Sequence, residues 1–217
     1  MKKPLIERID YEIEKRSLLK HRFYQMWSEG KLTFDHLQGY SKEYFQLVKV
    51  VPKFVENIFN MVTNPSLNRD ISQSLKEEYE HIEPWIVFST AMGVKRKDLT
   101  SYKGKTETNK AVSTLTRLTE LSLEEAVASM YAYEKELPKI SRSKIDGLNN
   151  FYGVKSHHAT KYFEIHEEVD LRHSELWKNI LQTIPEEKQK FALSAAINSL
   201  EAQNKLLDSV QKNYVEC

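Results

Sequence analysis

One cysteine, Cys217, is all the thiol this chain has, so no internal disulfide can form and a reducing, cytoplasmic setting is expected. Glycine and proline are scarce, six of each, too few for an all-β protein built on many tight turns. Neither sign of charge is in excess: 32 basic residues stand against 31 acidic ones, mixed along the length, for a formal charge of +1. With no basic stripe, neither nucleic acid nor an anionic membrane surface is an expected partner. Long apolar runs are missing too, and the opening MKKPLIERIDYEIEKRS lacks the unbroken apolar core of a signal segment. A soluble cytoplasmic protein follows, and 217 residues suit one domain with a real core.

What the sequence does have is apolar residues at three- and four-residue spacing in almost every segment, the mark of amphipathic helices. A first helical region runs from about Leu5 to Trp27, with a break near Arg16–Ser17, and stops at Gly30. Thr33 caps a long segment from Phe34 toward Met61, with Pro52 as a kink. After Asn64-Pro65 comes a helix through LKEEYEHIEPW that Pro84 kinks or restarts, ending near Gly93. VKRKDLTSYKGKTETNK is polar and reads as a loop, followed by a helix from about Ala111 to Glu120. Ser122 and Glu125 form a capping box opening a helix that passes Pro138 and ends near Gly147. Two more helices cover about Thr160 to Thr183 and Pro185 to Tyr214. No strand pattern, linker or internal repeat divides the chain, so residues 1–217 are expected to form a single-domain, all-α bundle of seven or eight helices.

The segment HEEVDLRH, residues 166–173, is dense in ionisable groups, and its phase on the helix decides what they do. At ~100° per residue, Asp170 lies about 40° from His166 and His173 about 20° to its other side. Phe163, Val169, Leu176 and Trp177 share that stripe, so both histidines and the aspartate lie within the face that a bundle buries. Glu167, Glu168 and Arg172 point elsewhere, as ordinary surface charges. Burying two imidazoles and a carboxylate without partners is costly, and a metal ion removes that cost. Two ions in a helical bundle take carboxylates and imidazoles from several helices, commonly through Glu-x-x-His pairs. KEEYEHIEPW supplies such a pair in Glu78 and His81; Glu77, four residues before His81, also fits, and the motif spacing favours Glu78. Glu134, in the aromatic-rich MYAYEKELPKI, is a further candidate. Carboxylates and imidazoles without thiolates suit iron or manganese, and six ligands shared by two ions leave positions open for dioxygen. His21, His36 and the His157-His158 pair lack acidic partners at ligand spacing and are expected to cap helices or face solvent.

HRFYQMWSEGKLTFDHLQGYSKEYF, HIEPW, YAYEKELPKISRSKIDGL and YFEIHEEVDLRH together resemble the heme-oxygenase-like helical proteins that include thiaminase-II and pyrroloquinoline-quinone synthase. The likeness is greatest to the branch named for the chlamydial protein associating with death domains, and runs from about His21 to Trp177. It implies a dinuclear iron or iron/manganese oxygenase that makes para-aminobenzoate for folate synthesis, with dioxygen and an external reductant as co-reactants. The implied enzyme is its own substrate. The resemblance places the ligands on Glu134, His166, Asp170, His173, His81 and one of Glu77 or Glu78. It makes Tyr24 the source of the ring, Lys144 the donor of the amino group, and Tyr133 and Tyr162 flanking tyrosines. It also implies a homodimer. The stretch between the first glutamate and His81 is shorter than in the chlamydial relatives, which leaves Glu77 or Glu78 open. Two other readings compete: a cofactorless, quinone-synthase-like oxidase of a diffusible substrate, and a non-catalytic helical interaction protein.

Overall fold

Side-chain caps set most of the helix boundaries. The computed structural model describes residues 3–216, and eleven α-helices account for most of them; Cys217 lies outside the described residues. Helix α1 (Leu5–Lys15) stops at Arg16, and after a short 3₁₀ turn α2 (Arg22–Ser28) begins, capped by His21, whose Nδ1 accepts from Phe23 N at 3.1 Å. Gly30 closes α2 in the left-handed region, φ 67°, which lets Lys31 N reach back to Met26 O at 2.9 Å. Thr33 and His36 cap α3 (Phe34–Val48) reciprocally. Asn64 caps the long α5 (Pro65–Ala91) by accepting from Ser66 N at 2.9 Å, with Pro65 in the first turn, where its missing N–H matters least.

Where periodicity predicts seven or eight helices, eleven form, and the reasons are local. Pro52 does not kink one long helix; it sits in the first turn of a separate α4 (Val51–Met61). The stretch expected to be a loop holds α6 (Arg96–Ser101) and the start of α7 (Thr106–Leu118), because its buried Leu99 and Thr108 give even this polar segment an inward face. The helix opened by Ser122 does not pass Pro138: α8 (Leu123–Glu134) ends, and α9 (Leu137–Asn150) restarts with Pro138 in its first turn. Pro84, by contrast, lies inside α5 without ending it. Helix α10 (His157–Leu181) starts slightly before the expected Thr160, and α11 (Gln189–Val210) runs on into a π-helical turn through Val215.

Helix α11 packs against α7 and α8, and α10 packs against α5, α8 and α9. One continuous core joins them, with Trp27, Trp85 and Trp177 fully buried. No helix among the described residues is long and apolar enough to cross a membrane. Helices α5 and α8 both pack against α10.

Candidate metal centre and the adjoining tyrosine–lysine cage

Three helices deliver the ligand-capable side chains. Glu78 and His81 come from α5, Glu134 from the last residue of α8, and His166, Asp170 and His173 from one stripe of α10. All are buried, the most exposed at 5 %. They form two overlapping groups, Glu78 with His81 and His166, and Glu78 with Glu134, Asp170 and His173; within each, one donor atom per residue lies within 4.8 Å of the others. Glu78 belongs to both, the place a bridging carboxylate would take.

These atoms face one another and little else. Both carboxylate oxygens of Asp170, Oε1 of Glu134, and Nδ1 of His81 and of His173 are buried without a hydrogen-bond partner. His173 Nδ1 stands 3.5 Å from Glu78 and 3.8 Å from Asp170, and His81 Nδ1 stands 3.4 Å from Glu78. A buried polar group left unpaired costs about 1–3 kcal/mol, more when charged, and so many in one place is the signature of a cation site. The donor set fits divalent iron or manganese.

A surrounding layer fixes the ligands' orientation. His166 Nδ1 donates to Tyr162 O at 2.7 Å, which leaves Nε2 as the nitrogen with a free lone pair. Glu77, a candidate ligand by sequence, instead accepts from His173 Nε2 at 2.8 Å and from Arg172 through two bonds of 3.1 Å, with Gln73 donating at 2.8 Å. It belongs to neither ligand group. Arg172, expected as a plain surface charge, therefore holds the carboxylate that holds His173. Glu167 and Glu168 stay outside, Glu167 paired with Arg142. Trp177 Nε1 donates to Glu134.

Burial and crowding pull the protonation of these groups apart. Burial, with Glu78 adding repulsion, pushes the Glu134 carboxyl up to about 8, and burial beside Glu134 and Glu78 holds Asp170 well above the carboxylate range. Burial, reinforced by His81, drops the His166 imidazole to about 3. Burial also works against charge on His173, but Glu78 and Glu134 outweigh it and hold the ring at about 9. Glu77 ends near 2, since its bonds to Gln73, Arg172 and His173 overcome its partial burial. Neighbouring groups held in opposite protonation states mark a functional site.

Beside this cluster lies a second buried assembly. Lys144 of α9 is 3 % exposed, and its Nζ donates to Tyr40 Oη at 2.6 Å. The nitrogen sits 4.9–5.2 Å from the ring centroids of Tyr24, Tyr40, Tyr44 and Phe163. Burial holds its pKa well below the usual lysine value, which favours the neutral amine. Tyr24 Oη lies 3.2 Å from Tyr40 Oη. Close approach of α9 to α2 depends on Gly147: a Cβ there would fall 2.5 Å from the Trp27 ring, whose Nε1 donates to Lys144 O at 3.2 Å. Tyr162 connects the two assemblies, stacking on His166 at 4.1 Å and meeting Trp85 edge-on at 4.7 Å. Tyr133, next to Glu134 in the chain, pairs with Tyr44.

Every candidate singled out by sequence is thus placed at or beside the site, with Glu77 outside both ligand groups. Tyr40 and Tyr44 were not singled out; their signal is a tyrosine pair four residues apart on one inward face of α3. The other histidines do as expected. His36 and His21 cap helices, and His157 is exposed and paired with Glu164 at 2.6 Å.

The sequence model of the TENA/THI-4/PQQC family matches residues 11–213. The chain belongs to that family. Among curated proteins, one from Chlamydia pneumoniae named 4-aminobenzoate synthase is 33 % identical over 184 residues, 82 % of each chain. A protein of the same name from Nitrosomonas europaea is 31 % identical over 96 % of this chain and 91 % of its own. With such likeness across most of each chain, this family member is an enzyme. A TenA homolog from Pseudomonas syringae superposes with a TM-score of 0.83 at 15 % identity, covering 96 % of this chain and 93 % of its own. A heme-oxygenase-like domain from Shewanella denitrificans gives 0.82 at 18 % identity, covering 97 % and 92 %. At these identities the likeness is one of fold: the TENA/THI-4/PQQC chain is a heme-oxygenase-like all-α domain. Fold alone does not name a reaction, and the chemistry has to be read from the two buried assemblies.

Proposed function

We propose that this enzyme forms 4-aminobenzoate, that it is a dinuclear iron or iron/manganese oxygenase, and that it draws the product from its own chain, the ring from Tyr24 and the nitrogen from Lys144. Glu78, His81 and His166 would hold one ion, and Glu78, Glu134, Asp170 and His173 the other. The second group is richer in carboxylate and the harder of the two, so it suits manganese better than the first. Bound there, the metals supply activation of dioxygen, with electrons from an external reductant.

The chain's own residues supply the rest. Tyr162 fixes the His166 tautomer through its carbonyl, and Glu77 fixes His173. The aromatic cage excludes water from Lys144 and favours the uncharged nitrogen, the only form in which an amine is a nucleophile. The observation that carries the self-sacrificing reading is that buried amine, its nitrogen 4.9 Å from the centre of the Tyr24 ring. Tyr133 and Tyr162 stand between the ligands and the cage, where tyrosines can relay oxidation toward Tyr24.

Intact-mass and peptide mass spectrometry, before and after reaction with metal, reductant and dioxygen, tests this. Mass lost at Tyr24 and Lys144, with product abolished in Tyr24→Phe and Lys144→Arg, is the expected result. A chain that turns over repeatedly and unchanged would give the reaction to a diffusible substrate. Elemental analysis after anaerobic reconstitution should find about two ions per chain; none would leave the cluster a polar pocket.

A further inference from the structure

We infer that Tyr40 is a positioning residue, tethering the Lys144 amine to the hydroxyl of Tyr24. The inference rests on the reading of Lys144 as the amino donor and adds a residue to which no role has been given. Tyr40 is fully buried on α3, and its hydroxyl lies between the two groups, 2.6 Å from Lys144 Nζ and 3.2 Å from Tyr24 Oη. Among the described residues no carboxylate stands within 4.0 Å of that nitrogen, so Tyr40 is its polar anchor.

The bond runs from Lys144 Nζ to Tyr40 Oη, which gives the tether a direction. A tyrosine hydroxyl has one hydrogen and two lone pairs. When Lys144 donates to Tyr40, the hydrogen of Tyr40 is left for Tyr24, and the lone pair of the amine stays unshared. The rings of Tyr24, Tyr44 and Phe163 limit the other directions the side chain could take, but rings alone do not fix where along their faces a flexible four-carbon stem rests. One short hydrogen bond does. Trp27 steadies both partners, donating to the Lys144 carbonyl and meeting the Tyr40 ring edge-on at 5.6 Å.

Tyr40→Phe keeps the ring and removes only the bond. In full-length, metal-loaded protein, the single-turnover loss of Lys144 is followed by peptide mass spectrometry across pH, with Tyr44→Phe, whose hydroxyl makes no bond to the amine, for comparison. Tyr40→Phe should slow Lys144 loss about tenfold or more, the factor that about 1.4 kcal/mol of misplaced geometry gives, with metal content and melting temperature retained. A hydroxyl that accepts from lysine stabilises the ammonium more than the amine, so losing it should also move the rising limb of the pH profile to lower pH. Tyr24, Tyr40 and Tyr44 are the titratable groups facing Lys144, and Tyr44→Phe should leave that limb in place. A wild-type rate with an unshifted limb in Tyr40→Phe would overturn the tether.

Relaxation of the Lys144 Cε signal in metal-free, ¹³C-lysine-labelled protein separates the tether from the reading it rests on. If wild-type chains form product with Lys144 intact, the amino-donor reading fails. The tether still stands if Lys144 is restricted in wild type and mobile in Tyr40→Phe, and falls if mobility is equal. Should Tyr40→Phe not fold, 4-fluorophenylalanine placed at position 40 fills the space of the hydroxyl, scarcely accepts a hydrogen bond and cannot ionise. The same downward movement of the limb is then expected, and no movement would overturn the tether.

Discussion

Two sites of buried carboxylate lie within this bundle, one around Glu43 and one around Asp170, and they are opposites. Glu43, wholly buried on α3, accepts from Tyr102 Oη, from Tyr214 Oη at 2.8 Å and from Lys105 N at 3.0 Å. Three donors converge on it, two from the linker between α6 and α7 and one from the C-terminal turn, and it fastens that turn to α3. Asp170 is equally buried, and neither of its oxygens has a donor. Burial of an acid is therefore no guide to function by itself. The guide is whether the protein has supplied the donors or has left acceptors facing each other for something else to satisfy.

The comparison breaks most sharply at Glu78. Because it belongs to both ligand groups, Glu78→Ala should empty both, with bound metal near zero by elemental analysis and product at background. Glu77→Ala should act one layer out: loss of the His173 anchor weakens metal affinity by about 10–100-fold, measured by competition with a chelator, without emptying the site at saturating metal. Glu43→Gln should do the reverse. It leaves metal content unchanged and lowers stability by about 1–3 kcal/mol, read by urea denaturation. If Glu43→Gln lost metal, or Glu78→Ala kept it, the contrast would be wrong.

A last contrast, in stability alone, concerns Lys144. A lysine whose folded pKa lies below its unfolded value of about 10.4 binds fewer protons folded than unfolded. It therefore subtracts stability below that pH, and the loss fades as pH rises. Metal-free Lys144→Met should be more stable than wild type at neutral pH, with the gap closing as pH rises toward about 10. Urea melts across that pH range check it.

The parts of this architecture that depend on one helix were legible in the sequence. Phase alone put His166, Asp170 and His173 on a buried stripe, and Glu-x-x-His spacing drew attention to Glu78, which lies in both buried groups. The sequence also marked the stop at Gly30, the cap at Thr33 and the break near Arg16. Relations across the bundle were not legible. Tyr40 and Lys144 are 104 positions apart, and the Glu43 bond to Tyr214 spans 171, so nothing local announces either pair. The roles of Pro52 and Pro138 were misjudged for a related reason. A proline inside an apolar pattern can kink a helix or open the next one, and the deciding factor is where the following segment finds its packing.

Only Lys135 and Glu136 separate the end of α8 from the start of α9. That joint aims the Glu134 carboxylate at the ligands and the Lys144 amine into the cage. One residue inserted there would turn all of α9 by ~100° about its axis. The six ligands would stay in register while the nitrogen swung away from Tyr24, giving chains that load metal and have no amine to offer. Length variation should therefore be tolerated in the outer loops and forbidden at this elbow.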